Sequence, residues 1–92
     1  MKDNEFNYEI NEDKIIVINN ENEVIAQIDF IENEEGVFDI THTYVSDKYR
    51  GQGIAGKLVE MAYNEIKQRG GKAVPKCSYA QVWFENHVYN KN

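Results

Sequence analysis

The hydrophobic period of this chain changes once, and the change falls across a glycine-rich stretch. Up to Val45 the apolar residues come in short β-branched runs, Lys14-Ile15-Ile16-Val17-Ile18, then Val24 to Ile31, then Val37 to Val45. Asn19-Asn20-Glu21-Asn22 and Glu32-Asn33-Glu34-Glu35-Gly36 separate them with turn-forming residues, and residues 6–11 add a short first strand. In the third run, alternation places Phe38, Ile40, His42 and Tyr44 on one face, and Val37, Asp39, Thr41, Thr43 and Val45 on the other. Links this short favour an antiparallel meander of three or four strands. From Gly53 to Arg69 the spacing of Ile54, Leu58, Met61, Ala62 and Ile66 is helical, and Gly70-Gly71 stops the helix. Lys72-Ala73-Val74 reads as a brief strand closed by Pro75. Ser78-Tyr79-Ala80-Gln81 has the S-x-x-Q form of a capping box and opens a last helix to about His87, with Tyr79, Trp83 and Phe84 as core. The predicted fold is α+β: meander, long helix, short strand, C-terminal helix.

Ninety-two residues suit one domain, 1–92, with one modest core. The single cysteine excludes an internal disulfide and a multi-cysteine zinc site. His42 and His87 have no ligand spacing around them, so no metal is expected. No stretch has the length of a membrane span, and the N-terminus lacks the apolar run of a signal peptide, which leaves the cytoplasm as the expected location and no membrane partner. Residues 1–45 carry twelve acids against Lys2 and Lys14, net −10, whereas residues 46–92 are net +4. So acidic a half argues against nucleic acid as a partner. The basic half suits an anionic ligand.

The segment from Val45 to Leu58 joins the strand-like half to the helical half. Unpaired amides at a helix N-terminus favour anions, and glycines let consecutive N–H groups converge on phosphate oxygens. Three patterns fit it. Gly51, Gly53 and Gly56 satisfy G-x-G-x-x-G, but a meander precedes them, and Lys76 stands where a dinucleotide site needs an acid. Gly51 to Lys57 fits G-x-x-x-x-G-K, but Leu58 stands where a P-loop needs Ser or Thr for magnesium. Arg50-x-x-Gly53-x-Ala55 has the R-x-x-G-x-A form of a coenzyme A pyrophosphate loop.

With that loop, His42-Thr43-Tyr44-Val45 and Pro75-Lys76-Cys77-Ser78-Tyr79, the chain resembles the GNAT superfamily of N-acetyltransferases from about Phe6 to Tyr89. It is most similar to an undersized, acetyltransferase-like subfamily. The resemblance implies acetyl-CoA or coenzyme A as cofactor. It places Tyr44 and Val45 beside the pantetheine arm and the backbone of Arg50, Gly51, Gln52, Gly53, Ile54, Ala55 and Gly56 around the pyrophosphate. Lys48 and Arg50 offer charge to the phosphates, and Asn86 and His87 border the coenzyme. Larger members carry helices between the early strands that form much of the acceptor pocket. Here Ile18 to Val24 leaves room for a turn alone.

Cys77 is the candidate nucleophile, since a thiolate before a helix N-terminus is stabilised and can take an acyl group from a thioester. It can equally line the site while an amine attacks directly, or pack against Val82 as a hydrophobic staple. His42 is either a general base or a hydrogen-bonded histidine on a mostly apolar face. The implied activity is acetyl transfer from acetyl-CoA to an amine, with peptides, proteins and small metabolites all open as acceptors. The alternative is a non-catalytic coenzyme A-binding or sensing module.

Overall fold

The computed structural model describes residues 6–89. Strands β1 (Asn7–Ile10), β2 (Lys14–Ile18), β3 (Val24–Glu34) and β4 (Val37–Val45) form an antiparallel meander. A 3-10 turn (Asp47–Tyr49) leads to helix α1 (Ile54–Gln68), which carries the chain back to β5 (Lys72–Pro75), parallel to β4. Helix α2 (Ser78–Phe84) follows and widens into a π-helical turn over Glu85–Tyr89. The sheet is mixed, in the order β1-β2-β3-β4-β5. β3 runs three residues past the expected end at Ile31, so Glu35-Gly36 alone makes the hairpin turn.

One hydrophobic cluster joins Ile15, Val17, Ile28, Phe30 and Ile40 of the strands to Leu58, Ala62 and Ile66 of α1 and Phe84 of α2. Register partners share a face, so the buried strand residues all point to the side that α1 covers. Helix α2 lies beside α1 there, with Phe84 edge-on to Tyr63 at 5.4 Å. The opposite sheet face bears no helix among the described residues.

Strand β4 departs from strict alternation. Phe30 pairs with Ile40 but Asp29 pairs with His42, leaving Thr41 as the extra residue of a β-bulge. One inserted residue inverts every later side chain. Phe38 and Ile40 point into the core as expected, but His42 and Tyr44 point out from the open face, and Thr43 and Val45 turn toward α1. The expected four-residue face is therefore split at the bulge.

Arg69, just beyond α1, ties the helix to the first hairpin. Its guanidinium donates to the carbonyls of Glu12 (2.7 Å) and Asn11 (3.0 Å) and lies over the rings of Phe30 and Phe38. A cavity of about 360 Å³ sits beside it, between Glu12, Glu32 and Phe38.

The turn into β5 needs a glycine. A Cβ on Gly71 would lie 2.7 Å from the Phe38 ring and 3.1 Å from the Gly36 carbonyl oxygen. Phe38 is wedged in the core, so Gly71→Ala should cost about 1–3 kcal/mol. Urea denaturation checks this, and an unchanged midpoint would mean that the ring yields freely.

Candidate functional site

A groove opens where β4 and β5 part. The Ile40 carbonyl accepts from both Lys76 N–H (2.9 Å) and Cys77 N–H (3.2 Å), and parallel pairing ends at Ile40 and Pro75. Past this point β4 runs on alone on that side. Ser46 N–H bonds Ile25 across β3, so by antiparallel alternation the main-chain groups of Thr43 and Val45 face the vacated edge. They form one wall of a groove of about 340 Å³.

The other wall is the glycine loop and the start of α1, through Gly51, Gly53, Ile54 and Ala55. Gly53 caps the helix in the left-handed region (φ 82°, ψ 9°), and Gly51 is left-handed too (φ 84°). No side chain caps α1. Lys57 N–H bonds the Gly53 carbonyl at 3.1 Å, which leaves the preceding amides of Ile54, Ala55 and Gly56 without a carbonyl one turn back. These three donors stand at the positive end of a fifteen-residue helix, and Ile54 and Ala55 line the groove. An extended ligand with an anionic group fits both walls at once: main-chain pairing along β4, charge at α1.

The remaining expected residues fall in different places. Arg50 borders the groove, but its Nε is held within the chain by the Val45 carbonyl (3.1 Å) and Asp47 (3.2 Å). Gly56 lies in the first turn of α1 but not on the groove walls, and Gln52 and Lys48 are exposed outside them. Tyr44 and His42 project from the opposite sheet face. Asn86 and His87 lie about 10 Å further along the helical segment from Tyr79, where His87 stacks on Trp83 (4.4 Å between centroids).

Cys77 is half-buried and not itself on the groove walls, with Sγ 3.4 Å from Oγ1 of the groove residue Thr43. The expected staple does not form, for Val82 is 56% exposed. Nor does the capping box. The Ile40 hydrogen bond holds Cys77 extended, which makes Cys77 the cap and Ser78 the first helical residue, and Gln81 reaches toward Pro75 instead.

Three groove residues escaped the sequence reading. Thr43 was placed on the opposite face by strict alternation. Tyr79 read as core, yet it is 45% exposed and lines the groove, its Oη 3.3 Å from where a Cβ on Gly56 would lie. Tyr49, in the 3-10 turn, also lines it. Its position just before the R-x-x-G-x-A motif was the available signal. Among the described residues no three His, Cys, Asp or Glu side chains gather as a metal site, and no helix is long and apolar enough to cross a membrane.

A mixed sheet with parting parallel strands and a glycine-capped helix facing the gap defines a class of α+β domain. Residues 7–91 match the profile of the GCN5-related N-acetyltransferases, and the chain belongs to that family. It is similar to a GCN5-like protein from Staphylococcus aureus, solved by NMR, at 26% identity over 90% of this chain and 81% of that one (TM-score 0.72). An Escherichia coli GNAT family N-acetyltransferase in complex with CoA is 25% identical over 67% of this chain (TM-score 0.60). A GNAT family acetyltransferase from Elizabethkingia anophelis with acetyl-CoA bound shares the fold, at 22% identity over 79% of this chain (TM-score 0.64). The chain spans 38% and 50% of the latter two.

Gly53 sets the approach angle of α1, and a Cβ there would meet no protein atom within 4 Å. Gly53→Val should therefore fold, with a left-handed-backbone cost of about 1–2 kcal/mol. A thermal melt checks this, and loss of the cooperative transition would show that the cap holds the fold itself.

Proposed function

We propose that this chain binds acetyl-CoA in the groove and transfers its acetyl group to an amine. The observation that carries this reading is the pairing of a vacant β4 edge with the uncapped amides of Ile54, Ala55 and Gly56. A pantetheine arm has amides that can pair with Thr43 and Val45, and a diphosphate suits the helix N-terminus. The CoA and acetyl-CoA complexes of the two larger relatives support it.

In this reading Cys77 is the acyl acceptor. Its thiolate attacks the thioester carbonyl carbon, a new C–S bond forms, the bond to the coenzyme sulfur breaks, and coenzyme A leaves as a thiolate. The acceptor amine then attacks the acetyl-cysteine, returns the Cys77 thiolate and loses a proton to solvent. Thr43 lines the groove and lies 3.4 Å from Sγ, and this contact supports the assignment of the sulfur as acceptor. His42 would serve only an acceptor arriving from the open sheet face. That same displacement favours a second reading, a coenzyme A-binding module without turnover, because the groove walls then contain no histidine base.

Two measurements test the proposal. Coenzyme A at a hundred times its Kd should raise the melting temperature by on the order of 10 °C, since binding to the native state alone adds about 2.7 kcal/mol. Gly53→Val should weaken that binding tenfold or more by interposing a side chain between amides and phosphate. Intact-mass spectrometry after incubation with acetyl-CoA should show one added acetyl group, absent in Cys77→Ala. Binding without adduct or amine acetylation would select the second reading, and no binding at millimolar coenzyme A would end both.

A further inference from the structure

We infer that Tyr49 is a phosphate-contacting residue of this groove and that Asn19, in the turn between β2 and β3, is the positioning residue that aims its hydroxyl. The inference rests on the coenzyme A reading above and adds to it a donor outside the glycine motif.

The side-chain amide of Asn19 is fully engaged. Its Oδ1 accepts from the backbone N–H groups of Glu21 and Glu23, both at 2.9 Å. Because those groups can only donate, the oxygen and nitrogen of the amide are assigned without ambiguity. The Nδ2 group then has two hydrogens, one directed to Glu23 Oε1 (2.9 Å) and one to Tyr49 Oη (3.2 Å). Tyr49 Oη is therefore an acceptor in this bond. Its own proton is left to donate elsewhere, and Oη has no acceptor among the described residues.

Tyr49 is half-buried, packs edge-on against Phe6 (5.6 Å between centroids) and lines the groove next to Arg50 and Gly51. The ring is held by Phe6 and the oxygen by Asn19, so the free proton is restricted to the remaining directions about Oη. Arg50 is a different kind of donor: its Nε is held by the Val45 carbonyl and Asp47, while its exposed Nη groups have no partner among the described residues. A hydroxyl that already accepts one hydrogen bond is also a better donor, because bonds in a chain polarise one another. Tyr49 is thus a groove residue whose hydroxyl proton is uncommitted, and that proton is assigned to a phosphate oxygen of the ligand.

The test is coenzyme A titration calorimetry on the wild type, Tyr49→Phe, Asn19→Asp and the double variant, with unliganded melting temperatures in parallel. Tyr49→Phe keeps the ring and removes the proton. It should weaken binding about tenfold, the usual worth of a hydrogen bond to a charged group. Asn19→Asp keeps the turn's acceptor but replaces the donor with a second carboxylate oxygen, which draws the Tyr49 proton back toward itself. It should weaken binding to a similar degree. The double variant should bind no more weakly than the weaker single, since both changes remove one donor. Phe at position 49 binding as tightly as Tyr, or losses that multiply in the double variant, would overturn the inference, the second by showing that the new carboxylate acts through its charge. Failure of the wild type to bind coenzyme A would instead overturn the reading beneath it.

Discussion

Two amides share one carbonyl at the centre of this molecule. Lys76 and Cys77 both donate to the Ile40 carbonyl, and the parallel pairing of β4 with β5 ends at these two hydrogen bonds. A strand that continued in register would have satisfied the edge of β4 and closed the sheet. Instead the chain turns off into α2, and Thr43 and Val45 have no strand beside them, with the Arg50 side chain alone reaching the Val45 carbonyl among the described residues. Unpaired edges invite pairing, and proteins usually cover or blunt them. Here the edge faces the amides of α1 across a groove, which suits a ligand rather than another strand.

Much of this was legible in the residues because the signals are local. The β-branched runs, the turn at Asn19 to Asn22 and the helical spacing from Ile54 to Ile66 depend on near neighbours, and they place the meander and α1 correctly. The glycine loop was legible for the same reason, since its backbone demands fall on the residues that supply them. The Thr41 bulge was not. It depends on how β3 and β4 settle in register, and its effect is to exchange Thr43 for His42 on the groove side. The cap of α2 failed similarly, because the long-range bond from Cys77 to Ile40 overrides the local preference of Ser78 for the cap.

The distribution of charge is consistent with a site built from main-chain dipoles. The groove wall contributed by α1 is Gly53, Ile54 and Ala55, which carry no formal charge. Arg50 anchors its Nε to the Val45 carbonyl and the Asp47 carboxylate, and its Nη groups remain exposed at the groove's border. Fixed amides need no rearrangement when an anion arrives, whereas an exposed, flexible side chain loses entropy on binding. The turn between β2 and β3 is short in this chain, and Asn19 nevertheless links it to the loop through Tyr49.

The central claim is that amides at the front of α1 hold a diphosphate while the free edge of β4 pairs with the arm behind it. Titration of ¹⁵N-labelled protein with coenzyme A tests both halves at once. The largest amide shifts should fall on Gly51 to Gly56 and on Thr43 and Val45, with little change around Arg69. Shifts centred on the cavity beside Arg69, or none anywhere at saturating coenzyme A, would contradict it.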